Sequence, residues 1–348
     1  MNLNMRGGIM ENTKLRKGTG LLFIMALLFI SSLLYLRYRD QDTLRVGIFY
    51  GSNWEVPGTV HYDILDQAIK KFESKYPNVK VEYERGILSD DYSEWLSEQI
   101  LKGTEPDVYL VLDDDFNTLA SLGALKNLDM LVGGDREFDS SVFYSSVYKA
   151  GQYGDSQYAL PMECNPTLMF VNKTLLQKEG IKVPDNDWTW DDFYDICKQV
   201  VKGSNGEGEI DQFGCYDYTW LQAVYSNGVT PFNKDGTASN FLDEKFSQSL
   251  EFIKRLEATN RNYQVTSNDF DLGKVAFRPF TFSNYRTYMP YPWRIKKYSG
   301  FEWTCIRMPA GPSGDNRSEM SALMAGMSSR TEKKQCAWDF VKLLTTDT

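Results

Sequence analysis

Histidine is almost missing from this chain of 348 residues, with His61 standing alone. One imidazole leaves almost no room for Ser-His-Asp or Cys-His catalysis, or for a metal held by histidines. His61 opens a predicted helix and reads as a surface or capping residue. Cysteine is sparse as well: Cys164, Cys197, Cys215, Cys305 and Cys336 form no Cys-x-x-Cys pair. Five is odd, so at least one thiol stays outside any intramolecular disulfide, and the scatter reads mostly as core thiols. A basic excess is missing too, since 38 Lys and Arg face 47 Asp and Glu, for a formal charge of −9. That balance repels phosphate, and no basic, aromatic-laced stretch follows the first forty residues, so no nucleic-acid partner is expected. Disorder is excluded by a composition 42% hydrophobic and 14% aromatic, which supplies ample apolar area for folding.

Long apolar runs are equally scarce, and the exception is informative. Gly20 to Leu36 carries 17 residues without a charge, at the short end of the roughly 17 to 25 that cross a bilayer. A cleaved signal peptide would end in a small-residue site, but this run leads into Tyr35, Leu36, Arg37, Tyr38 and Arg39. A lipid anchor needs a cysteine, and none precedes Cys164. The reading favoured is an uncleaved transmembrane anchor over residues 20–37, with a signal segment as its rival. Arg6, Lys14, Arg16 and Lys17 lie before the run, against Arg37, Arg39 and Arg45 after it. The imbalance puts residues 1–19 in the cytoplasm and everything beyond outside the cell.

Single cores stop growing at roughly 250 to 300 residues, so this length predicts two lobes. From Leu44 the pattern alternates strand and helix. The strands are Leu44–Tyr50, Val79–Glu84 and Asp107–Leu112; Ile64, Leu65, Ala68, Ile69 and Phe72 recur at helical spacing between the first two. In an open α/β sheet, ligands sit beyond the carboxyl ends of the strands, which points to residues 51–55 and 113–115. Gln157 to Asn172 reads as extended chain, and further helices are predicted at Thr174–Glu179, Trp190–Val201 and Phe246–Leu256. Asn205, Glu207, Glu209 and Asp211 imitate a calcium loop but lack its order and terminal Glu, so an exposed turn is expected there.

Three segments in succession resemble bacterial extracellular solute-binding proteins of the carbohydrate type, the family that includes maltose-binding protein. They are GTEPDVYLVLDDDFNTLASLGALKNLD (103–129), YALPMECNPTLMFVNKTLLQKEGIKVPDNDWTWDDF (158–193) and ALMAGMSSRTEKKQCAWDFVKLLTTDT (322–348). The resemblance spans about Leu44 to Thr348. It implies an α/β, two-lobed periplasmic-binding-protein-like (type II) fold with hinge crossovers. Lobe one would cover 44–161 and resume over 325–348, and lobe two would cover 162–324.

It also implies a small-molecule ligand, most simply a carbohydrate, delivered to the permease subunits of an ABC importer, with no cofactor and no catalysis. Sugars need polar partners for hydroxyls and flat rings for C–H faces. Asp113 and Asp114 follow a buried strand where the family has a hydroxyl-binding loop; Asp115 is expected to cap the next helix. Trp54 lies in the loop after the first strand. Glu163 and Asn165 sit on the crossover, Tyr218 and Trp220 at an aromatic helix start, and Phe282, Asn284 and Tyr285 where the family has Gly-x-Trp. Each has a bland alternative in core packing, capping or strand bonding. Two other functions stay open: a membrane-anchored carbohydrate sensor or adhesin, and a glycoside hydrolase using two carboxylates, Asp114 and Glu163.

Overall fold

The expected alternation of strand and helix is realised from Asp42 in the computed structural model, which describes residues 42–51, 53, 62–203, 210–233, 237–284 and 300–346. Residues 20–37, His61 and most of the Gly-rich acidic turn lie outside that set. No helix among the described residues is long and apolar enough to cross a membrane.

The first lobe opens with β1 (Asp42–Gly47), α1 (Tyr62–Lys75), β2 (Val79–Tyr83), α2 (Ser89–Lys102), β3 (Val108–Val111) and α3 (Asp113–Ser121). Every residue of β3 is buried, as a parallel strand covered on both faces must be. Gly103 ends α2 in the left-handed region at φ 68°, and its N–H donates to Ile100, a closure that a side chain at Cβ would strain. Short elements follow: α4 (Asp129–Gly134), α5 (Ser145–Ala150), β4 (Gln152–Tyr153) and β5 (Ser156–Gln157).

The second lobe is reached through β6 (Ala159–Asn172) and built from α6 (Lys173–Lys178), α7 (Trp190–Val200), β7 (Phe213–Cys215), α8 (Trp220–Ser226), α9 (Glu244–Ala258), α10 (Ser267–Asp271), β8 (Val275–Thr281) and β9 (Trp303–Ile306). Thr189 starts α7 with a capping box shared with Asp192, which satisfies two orphan helix donors. The chain returns through β10 (Met320–Met327) and ends in α11 (Lys334–Thr346).

The strand order is β2-β1-β3-β10-β6-β8-β7, with β9 also paired to β6. Pairs β1/β2, β1/β3 and β7/β8 are parallel; those of β10 and β6 are antiparallel. Four clusters of buried side chains result among the described residues, one in the first lobe and three in the second. One gathers β1, α1, β3, β10 and α11 around Phe72, Tyr109 and Trp338. The others gather Trp190, Phe193 and Phe277, then Phe170 and Phe270, then Val224 and Phe246. No residue belongs to both lobes' sets. β10 packs with the first core, Met320 partly buried against it and Ala322 to Ala325 and Met327 within it. The thiols follow burial: Cys197 and Cys215 are buried, Cys305 and Cys336 partly so, Cys164 exposed, and all five are free.

Candidate functional site

The two lobes are joined where β6 changes partners. Its first half pairs with β10 up to Pro166 opposite Met320, and its second half with β8 from Thr167 opposite Thr281. The register slips between Leu323 and Met324, leaving Met162 as an extra residue between Pro161 and Glu163, a bulge of the kind that re-aims neighbouring side chains. The N–H of Thr167 donates to the carbonyl of Glu319 at 2.8 Å.

Three carboxylates gather on this floor. α3 begins immediately after the extended Leu112, so Asp113 and Asp114 occupy its first turn. One Asp113 oxygen accepts from the backbone N–H of Ala322 in β10 at 2.7 Å, which brings the wall of the first lobe onto the crossover. Burial pushes the Asp113 carboxyl above its ordinary range; the Ala322 N–H opposes this, and the charges of Asp114 and Glu319 add to it. Glu319, partly buried just before β10, is also pushed up by burial. Tyr225 of α8 is raised by burial first and by Glu319 second. Glu319 therefore acts on one residue from each lobe. Asp115 does not cap the helix as expected: Leu112 holds the cap position and bonds no side chain there. The helix starts two residues before Asp115, which instead accepts from the Ser93 hydroxyl at 2.5 Å.

Glu163 is exposed on β6 opposite Leu323. With Asn53, Lys71 and Met162 it lines a largely apolar hollow of about 520 Å³ between α1 and the crossover. Burial raises the neighbouring Cys164 thiol, and the Glu163 charge raises it further.

The second lobe supplies rings. Trp220 opens α8 and is 43% exposed. It borders a hollow of about 780 Å³ with Asp217, Asn262 and Tyr263. Asp217 adopts φ 66°, which Asp tolerates better than most residues. Its carboxylate lies 3.9 Å from Arg278, whose guanidinium stands 3.8 Å from the Phe280 ring centre and 4.7 Å from that of Tyr216.

The predicted site residues divide accordingly. Asp113, with Asp114 beside it, is bonded to β10 through the Ala322 N–H, Glu163 is exposed on β6, and Trp220 and the half-exposed Phe282 are exposed rings of the second lobe. Tyr218 departs from expectation: it is 7% exposed, and its hydroxyl lies 3.2 Å from both Trp190 Nε1 and Ser226 Oγ. A tyrosine on the inner side of the turn serves the core, where its hydroxyl needs those partners. Asn165 is 3% exposed and its amide is engaged with Ser283. Asn284 follows in the same turn and is partly buried. Trp54 and Tyr285 lie outside the described residues. The hollows bordered by Glu163 and by Trp220 share no lining residue.

Sequence reasoning missed Glu319, Tyr225, Tyr263 and Arg278. Two left signals: an acid immediately before the apolar run MSALMAGM, and an arginine inside the apolar strand VAFRPF. No group of three or more His, Cys, Asp or Glu among the described residues could hold a metal ion.

Comparison with known proteins matches this architecture. The ABC substrate-binding protein Lmo0181 of Listeria monocytogenes, solved with cycloalternan, superposes with a TM-score of 0.62 at 23% identity, over 88% of this chain and 76% of that one. The sugar-binding protein MalE of Xanthomonas citri gives 0.68 at 16% identity, over 87% and 75%. In sequence, a binding protein of Brucella abortus is 23% identical over 296 residues, 80% of this chain and 68% of its own. The Multiple sugar-binding protein of Streptococcus mutans is 27% identical over 138 residues, 39% of this chain and 30% of its own. Residues 58–348 match the family described as bacterial extracellular solute-binding protein, and the chain belongs to that family.

Proposed function

We propose that this chain is the extracytoplasmic solute-binding component of an ABC importer and takes a sugar or oligosaccharide between its lobes. One observation carries the reading: two separate cores are joined by the crossover strand β6, which pairs with β10 as far as Pro166 and with β8 from Thr167 onward, so the lobes meet along one short stretch of chain. Carboxylates accept hydroxyl hydrogens and exposed rings stack on sugar faces, so neither lobe alone offers a full set of partners. Asp113, Asp114 and Glu163 would take hydroxyls, while Trp220 and Phe282 would stack. Asn284 would bond from the same turn as Phe282, and the sequence candidates Trp54 and Tyr285 would add two further rings. Closure of the hinge then draws its free energy from contacts made only in the closed form. The segment 20–37 would hold the lobes at the outer membrane face, beside the permease subunits. The sugar names carried by similar proteins support the ligand class.

Thermal unfolding with cycloalternan, maltotetraose and mannotriose, against amino-acid and polyamine controls, tests it. A ligand at a hundred times its dissociation constant stabilises by about 2.7 kcal/mol, roughly 4 °C for a chain of this size. Binding should also slow alkylation of exposed Cys164. A shift with an amino acid or polyamine and none with any glycan would sink the carbohydrate assignment.

A further inference from the structure

Asn165 stands at the handover of β6, in the next-to-last pair with β10 and two residues before the first pair with β8. Pro166 follows it. Proline has no N–H to give the ladder, and it holds the preceding residue extended, so backbone bonding thins out where the lobes meet. The Asn165 side chain fills that gap. Its Nδ2 donates to Ser283 Oγ at 2.9 Å, and the Ser283 N–H donates back to its Oδ1 at 2.9 Å. Ser283 Oγ also lies 2.9 Å from Thr281 Oγ1 at the end of β8. The amide is 3% exposed, and a buried polar group whose partner is removed costs far more than an exposed one. Ser283 lies in helical conformation between Phe282 and Asn284, both of them ligand candidates.

We infer that Asn165 is a positioning residue: through its two-point hold on Ser283 it fixes the turn bearing Phe282 and Asn284 to the crossover strand, and so sets ligand affinity without touching ligand. The affinity part rests on the reading that the ligand sits between the lobes; the hold itself does not.

Hydrogen–deuterium exchange of the ligand-free protein decides the hold. Asn165→Ala should speed exchange over residues 281–284 about tenfold while residues 160–164 and 275–279 keep wild-type rates. Ser283→Ala, which keeps the backbone N–H, should give a smaller rise, and the double variant no more than Asn165→Ala alone. Unchanged exchange at 281–284, an equal rise along both strands, or additive single effects would each overturn the inference. With the tightest-binding of maltotetraose, mannotriose and cycloalternan, Asn165→Ala should weaken affinity about tenfold through faster release. Asn165→Asp, which can still accept from both Ser283 groups, should recover most of it; wild-type affinity in Asn165→Ala would refute the positioning role. Should none of the three bind the wild type, the carbohydrate reading fails while the exchange result still settles the hold.

Discussion

Asp135 and Asp113 belong to the same lobe and are pushed in opposite directions. Asp135, on the outer face, accepts from Lys342 Nζ at 2.5 Å and from Trp338 Nε1 at 2.9 Å. The Lys342 bond, then the Trp338 bond, holds its carboxyl at about 2 against some burial. Asp113, on the crossover floor, is pushed up by burial, and the side-chain charges acting on it are the carboxylates of Asp114 and Glu319. Acids matched with a cation tie α11 to α4. On the proposed function, acids grouped with other acids would leave oxygen lone pairs for a ligand's hydroxyls, at some cost in stability, the usual compromise of a binding site.

The contrast is sharpest where a substitution should move only stability or only binding. Trp338 is 1% exposed, and replacing it with Ala leaves a cavity as well as a lost bond. A loss of about 3 to 5 kcal/mol is expected in urea unfolding, with glycan affinity unchanged in the cold. Trp220→Ala should do the reverse, weakening glycan binding by about 2 kcal/mol, roughly thirtyfold, while the unfolding midpoint stays put. If Trp220→Ala instead unfolds the second lobe and spares binding, the contact of that ring with Phe246, 5.9 Å between centroids, is its whole role and the division fails. Asp135→Asn should cost roughly 1 to 2 kcal/mol at neutral pH, allowing for solvent screening. Because the folded pKa lies below the unfolded one, this stability is present above about pH 4 and is lost as pH falls towards 2. Acid titration of wild type and variant should therefore converge at the acid end.

The first lobe was legible because its β-α-β-α-β signals are local. Strand runs such as Val108–Val111, helical spacing through Ile69 and Phe72, and the stop at Gly103 each depend on near neighbours. The carboxyl ends of those strands, together with the resemblance to the family's hydroxyl-binding loop, then pointed to Asp113 and Asp114 as candidates. Glu319 and Tyr225 escaped because they lie far apart in sequence and influence each other only through the tertiary fold, which no local pattern encodes. Tyr218 and Trp220 look equivalent in DYTW, yet one is 7% and the other 43% exposed. A turn of chain between two aromatics decides which meets solvent, and composition does not record it. Asn165 was found as a crossover residue, but its partner Ser283 lies 118 positions away.

The smallest effect separates the two kinds of acid most cleanly. Asp113→Asn keeps an oxygen that can accept from the Ala322 N–H, so the tie between α3 and β10 survives, while a charge that burial and two neighbouring acids disfavour is removed. A carboxyl whose folded pKa is raised makes the folded state relatively less stable as pH climbs through it, the opposite sign to Asp135. The variant should thus melt at the same temperature as wild type or slightly above it at pH 7. Any gain should vanish on acidification, once the wild-type carboxyl is itself neutral. Glycan affinity should fall several-fold, since a neutral amide accepts a hydroxyl hydrogen more weakly than a carboxylate does. A lower melting temperature at pH 7 would mean that Asp113 is tied down for stability as Asp135 is, and the distinction between floor and outer face would disappear.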